Sequence, residues 1–444
     1  MAYLSLFTVL RPGPGPSSVH TAGPLLAARR FVHELAASGQ LPSVSRVAVE
    51  LYGGTACVGR ESGADGAIVA GLESVDLARC DSAAFSRALT AASTRRTIRL
   101  DGRQPVGFDP SFDIGFRVDR ALAYDGSALR FAAFGADGAP VADRLYLALG
   151  DDVVVAQGES PASRPVPRVP YDYEASADAL VRTCRAAGGR KLAFVALANE
   201  AAIASPGEVR ARLLAMRDAM LASIDRGLLR AGTLPGGRTR SAAAQFPNDD
   251  RAPAPQRCRA WALAAAEENA AGSVVVAAPS NGAAGIVASL LRHALASTTL
   301  ASDDDAIEFL ATAGVTGTLL RRAGLRQVGC QGEVGVAAAM AAAGCAAVMG
   351  ATPAQALHAA ELALEPHRGL ACDPAGGRIE SPCIERNGLA AARACAAATA
   401  AVRVPEPRVA LDAVARSMLE AARNLAGRYK QASLGGVAMS VPDC

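Results

Sequence analysis

Short apolar or alternating runs at Val47–Leu51, Ala67–Ala70, Thr97–Leu100, Leu145–Leu149 and Val153–Ala156 predict strands, and the stretch Ala22–Ala37 predicts a helix among them. Residues 1–157 are therefore expected to form an α+β domain. Between Ser160 and Pro170 four of eleven residues are proline, which neither a helix interior nor a central strand tolerates, so 158–175 reads as a linker. Ser176 is a plausible N-cap, and from there the chain is Ala-rich and helical in pattern almost to its end. Loops are expected at Gly188-Gly189, 232–256, 278–285, 323–333 and 365–387, giving an all-α domain over 176–444. The polar loop Gly232–Gln256 is long enough to be a lid or disordered. The most membrane-like stretch, Val334–Gly350, is mostly Ala and Gly and is expected to be a close-packed core helix.

Composition narrows the function. The 444 residues carry 51% hydrophobic side chains and a net charge of +3 from 45 basic and 42 acidic residues, with no long basic run. That distribution argues against nucleic-acid binding, and 4% aromatics with one tryptophan, Trp261, offer no base-stacking surface. Ten cysteines in unpaired spacings do not make a secreted disulfide scaffold. The N-terminus lacks a basic n-region and a cleavage site, so a cytoplasmic protein without a membrane anchor is expected.

Chemistry concentrates in three cysteines. Cys330, Cys372 and Cys383 lie in Gly- and Pro-punctuated turns, spaced by 42 and 11 residues, with no C-x-x-C in the chain. The spacing excludes zinc ribbons, ferredoxins and thioredoxin-like motifs. Three thiolates on a cubane leave one iron open for Lewis-acid chemistry. Equally, the three could be small buried residues, as Cys345 and Cys395 are expected to be inside Ala-rich helices. His20 follows a Gly-Pro-Ser-Ser turn in which Ser17 and Ser18 can offer hydroxyls to a carboxylate. Asn281-Gly282 stands at a strand-to-helix transition whose free amides could hold an oxyanion, or form a plain turn.

The words around these residues resemble the iron-sulfur L-serine dehydratases. The resemblance is carried by Val328-Gly329-Cys330-Gln331-Gly332-Glu333, Cys372-Asp373-Pro374, Pro382-Cys383-Ile384-Glu385-Arg386-Asn387, Glu267-Glu268-Asn269, Ala278-Pro279-Ser280-Asn281-Gly282 and Gly15-Pro16-Ser17-Ser18-Val19-His20-Thr21. It implies a 4Fe-4S cluster on Cys330, Cys372 and Cys383, and elimination of the β-substituent of L-serine or a related amino acid by a homodimer. It also implies that the terminal Cys444 caps the open iron, and it sets His20, His367 and Cys444 as catalytic candidates, with Ser17, Ser18, Asn281 and Gly282 at the substrate.

The chain departs from the family's pattern at several presumed substrate contacts. Ser62 and Ala64 stand where a histidine and a threonine are usual, Val19 replaces a serine, Gln327 a carboxylate, and Pro366 a histidine displaced to His367. Arg326 and Arg368 are new cations that could clamp an extra anionic group. The alternatives kept open are a lyase or hydratase acting on a larger or more anionic substrate, and a cluster-containing sensor without turnover.

Overall fold

The computed structural model describes residues 3–16, 18–53, 55–56, 59–60, 63–75, 82–118, 127–148, 153–159, 167–241, 251–297, 301–325, 328–375, 378–404, 409–426, 429 and 436–440. The chain divides into a helical unit, Met1–Pro12 with Pro165–Ala271 and Val275–Cys444, and an α+β unit, Gly13–Arg164 with Gly272–Val274. The sequence boundary at 157 thus assigns the first twelve residues differently from the structure, which packs them with the helices. Part of the expected linker, residues 160–166, lies outside the described residues.

In the α+β unit, β1 (Arg46–Tyr52) is the centre of a seven-stranded sheet with β2 (Thr97–Leu100), β3 (Gln104–Gly107), β4 (Ile114–Arg117), β5 (Ser127–Phe134), β6 (Pro140–Ala148) and β7 (Val154–Ala156). The order is β2-β3-β1-β5-β6-β7, with β4 parallel to β1 from Val49↔Ile114 to Tyr52↔Arg117. Alternation decides the faces: Val47, Val49 and Leu51 are buried, while Glu50 reaches Arg117 and Arg130 on the other side. Helices α1 (Ser18–Ala37) and α2 (Ala64–Leu72) supply Phe31, Val32, Leu35, Ile68 and Leu72 to the same core, where Phe31 stacks on Phe131 at 5.3 Å. Ala67–Ala70 is therefore helical, not a strand. A four-residue apolar run cannot separate a buried strand from a buried helix, and every residue of α2 except Asp65 is buried. A third helix, α3 (Ser82–Arg95), packs beside α2.

The helical unit follows as α4 (Ala177–Ala186), α5 (Leu192–Glu200), α6 (Pro206–Leu229), α7 (Ala254–Ala270), β8 (Val274–Ala277), α8 (Ala284–Ala296), α9 (Asp303–Arg322), α10 (Val336–Val348), α11 (Pro353–Leu364), α12 (Cys383–Ala401) and α13 (Leu411–Asn424). Ser176 caps α4 as expected: its hydroxyl accepts from Ala179 N, and Asp412 accepts from Ser176 Oγ at 2.9 Å and Ala177 N at 2.8 Å. Ser302 with Asp305 forms a capping box on α9. Gln331–Val348 is long and apolar enough to cross a membrane, yet 89% of it is buried among α8, α9, α11 and α12, which makes it the core helix of this unit. Its Ala and Gly side chains let those helices approach closely, which is why the sequence there is so poor in Leu and Phe.

Candidate active site

Three separate elements bring the candidate cysteines to one place. Cys330 follows Gly329, whose φ of +66° turns the chain into the single π-turn Gln331–Gly335 that leads α10. Cys372 lies in the irregular stretch before α12, and Cys383 is the first residue of α12 itself. A Cβ on Gly329 would sit 3.4 Å from Cys372 Cβ, so the first two turns are in contact. Cys330 and Cys383 thus stand where helix dipoles favour a thiolate. Burial and the neighbouring thiols act the other way. A hydrogen bond shared with Cys372, then burial, pushes Cys330 up, and burial followed by the charge of Cys330 pushes Cys383 up.

Arg386 is the cation of this site. Its Nη1 donates to Ala371 O at 2.9 Å and approaches Cys330 Sγ at 3.4 Å, while Nη2 pairs with Asp373 Oδ1 at 3.1 Å. One guanidinium on α12 therefore ties the Cys330 and Cys372 turns together. Asn387, next to it, donates to Cys383 O at 2.9 Å and to Gly282 O at 2.7 Å, and accepts from Gly285 N at 3.1 Å. That amide brings the Asn281-Gly282 turn onto the start of α12.

Opposite Gly282 stands Glu333, whose Oε2 would be 3.1 Å from a Cβ at that position. Burial pushes its carboxyl up to about 7. Around it, Gln331 Nε2 and Ser280 Oγ are buried and have no hydrogen-bond partner among the described residues, while Gln331 Oε1 accepts from Gly369 N at 2.9 Å. Buried donors left unspent are costly, so a polar ligand is the expected partner here. Sequence reasoning did not single out Glu333, Gln331 or Ser280 as site residues. Their signal was present, since each lies inside a motif that carried Cys330 or Asn281.

The expected loop 232–256 is a strap over part of its length. Gly236 N donates to Glu380 Oε1 at 2.6 Å and Arg238 pairs with Glu385 at 2.5 Å, which fastens it to the turn before Cys383 and to the first turn of α12. Arg240 joins Arg226 and Arg230 on the fully buried Glu268, and Ser241 N donates to Glu267. Residues 242–250 lie outside the described set, and 254–256 already belong to α7.

His367 is buried with Nδ1 2.9 Å from Ala363 O, its Cβ against Gly335, and burial lowers its pKa. Arg368 is exposed, paired with Glu365 and donating to Ser417 Oγ at 3.0 Å, so its guanidinium is already engaged. Ser18 and His20 fall in the first turn of α1 in the α+β unit. Ser17, Ser62, Arg326, Gln327 and Cys444 lie outside the described residues.

Residues 176–438 match the family model of the serine dehydratase alpha chain, and residues 5–159 that of the serine dehydratase beta chain. The chain belongs to the serine dehydratase family. Both family parts are present in one polypeptide. It is 37% identical over 460 aligned residues to an L-serine dehydratase of Streptomyces coelicolor, covering 99% of this chain and 100% of that one. The corresponding figures are 35% over 458 residues, 99% and 100%, for L-serine dehydratase 2 of Escherichia coli, and 37%, 99% and 98% for an L-serine dehydratase of Mycobacterium tuberculosis.

The donor set fits the cluster that the resemblance to iron-sulfur members implies. A four-iron cubane takes each thiolate on a different iron, so its ligands ring a space instead of meeting at one point. Cys330, Cys372 and Cys383 come from three separate segments and share one charge environment, in which Arg386 is the cation that would offset the negative charge of a bound cluster. Among the described residues no three His, Cys, Asp or Glu gather tightly enough for a single metal ion, a closer demand than a cubane makes.

Proposed function

We propose that this chain is a cytoplasmic 4Fe-4S ammonia-lyase that converts L-serine, or a closely related β-substituted amino acid, to a 2-keto acid and ammonia. The observation that carries the reading is that Arg386, in the first turn of the helix that Cys383 begins, ties the Cys330 and Cys372 segments together beside a turn with unspent buried donors. Family membership and the full-length likeness to proteins named L-serine dehydratase support the substrate. Cys330, Cys372 and Cys383 would hold the cluster, which supplies a Lewis acid for the departing β-hydroxyl.

The chain's own groups account for the rest. Ser280 Oγ and Gln331 Nε2 offer hydrogen bonds to a carboxylate, and Asn387 holds the Asn281-Gly282 turn in place beside them. Glu333 faces that turn and can exchange a proton at Oε2 with the amino acid. Loss of the Cα proton with departure of hydroxide, which leaves as water, gives an aminoacrylate. This tautomerises to the imine, and water then hydrolyses it to the keto acid and ammonia. Arg368 is engaged by Glu365 and Ser417, so nothing at that position favours a more anionic substrate over serine.

Anaerobic purification followed by iron and sulfide analysis and a keto-acid assay with L-serine tests the proposal. The expected result is four irons and four sulfides per chain with serine turnover. Zinc in place of iron, or an iron-loaded chain that releases no keto acid from any β-substituted amino acid, would overturn it, the latter in favour of a sensor.

A further inference from the structure

The C-terminal segment meets the thiol site at two backbone points. Tyr429 O accepts from Cys372 N at 2.9 Å, and Val437 N donates to Asp373 Oδ2 at 3.0 Å. Asp373 is buried, and its second oxygen, Oδ1, accepts from Arg386 Nη2 at 3.1 Å. The same guanidinium reaches Ala371 O and Cys330 Sγ. Position 436 is shaped for this contact: Gly436 has φ of +65°, and a Cβ there would lie 2.1 Å from Asp373 Oδ2. Only glycine satisfies both the backbone and the space.

We infer that Asp373 is a positioning residue that couples the seating of residues 436–440 to the placement of Arg386, and through Arg386 to the Cys330 thiol. Each carboxylate oxygen serves one side of the coupling. An asparagine cannot serve both, because its amide oxygen accepts from one donor while its NH2 group confronts the other. Alanine at 436 acts differently: it expels the segment and so removes the donor that holds Asp373 Oδ2, which leaves both carboxylate oxygens intact but frees the Asp373–Arg386 pair to shift. The consequence for iron retention rests on the iron-sulfur reading above, whereas the clip itself does not.

The test uses the anaerobically purified full chain with Gly436→Ala and Asp373→Asn, and Val437→Ala as a control that keeps the amide. Hydrogen exchange at Val437 should quicken about tenfold in the first two variants, the factor expected when a hydrogen bond to a charged acceptor is lost. Loss of cluster absorbance in air should also be severalfold faster in both, and the control should match wild type in each readout. Wild-type exchange at Val437 in Gly436→Ala would overturn the clip. Fast exchange with a wild-type cluster lifetime in both variants would overturn the coupling. If the wild-type chain takes up no iron, the iron-sulfur reading alone fails. The coupling is then read from alkylation of Cys330, faster in Asp373→Asn if it holds and unchanged if it does not.

Discussion

Cys330, Cys372 and Cys383 were legible as a set because each sits in its own Gly or Pro turn, unlike Cys345 and Cys395, which are buried within α10 and α12. What stayed hidden was the group that joins them. Arg386 spans 56 residues of sequence to reach Cys330 and 15 to reach Ala371, and no local pattern records such a direction. Replacing any one of the three cysteines with alanine is expected to abolish iron uptake while leaving the helical circular dichroism intact. Serine at these sites should fail as well, since an alkoxide is a poor match for soft cluster iron. Metal analysis of the purified variants decides this, and wild-type iron content in any of them would remove that cysteine from the ligand set. Glu333→Gln should bind iron normally yet lower kcat about 100-fold or more, the usual scale for loss of a proton-transfer group. An unchanged kcat would leave Glu333 with packing alone.

At the level of elements, helices with strong caps and clear amphipathic breaks were read well, and short buried runs were not. Ser176 and the Ala-rich pattern placed α4, but Ala67–Ala70 went to the wrong class because its burial on all sides erased any period. β5 was missed for a related reason: Ala128, Ala132 and Ala133 have little strand preference, and pairing with β1 and β6 overrides it. The cap on α9 yields a stability prediction. Ser302→Ala removes one half of the capping box and should cost about 1 kcal/mol in denaturant unfolding, with Ser302→Asp restoring it. The outward face of β1 yields one in pH. Burial raises the Glu50 carboxyl, but hydrogen bonds from Tyr52 and Arg117 with the charges of Arg117 and Arg130 outweigh it and hold the group below its ordinary 4.5. A depressed carboxyl contributes stability above its unfolded pKa and loses it as pH falls through the lower folded value. The stability gap between wild type and Glu50→Gln should therefore be full at neutral pH and close below pH 4.5. A gap that persists unchanged in acid would show that the ion pairs contribute nothing.

At the scale of the whole molecule, the unexpected feature is the path of the first residues. Apolar positions near the N-terminus read as the opening of the α+β domain, because sequence adjacency is the only cue available before contacts are known. Instead Leu6, Phe7, Val9 and Leu10 enter the core of the helical unit. The buried carboxylate of Glu200, at the end of α5, accepts from Tyr3 Oη at 2.8 Å, Ser5 Oγ at 2.8 Å and Leu6 N at 2.7 Å. No neutral partner repeats that arrangement, so the polar group far along the chain explains why the N-terminus is drawn there. Deleting residues 1–7 removes all three donors at once and leaves a carboxylate in an apolar interior, a change of about 3 to 5 kcal/mol when a buried charge loses its partners. The expected result is selective: amide exchange should accelerate in α5 and α9 while β1 and β5 keep their wild-type protection. Glu200→Leu in the shortened chain should recover part of the loss by removing the stranded charge. Equal loosening of both units, or no rescue by leucine, would mean that the Glu200 contacts do not hold the N-terminus in the helical unit.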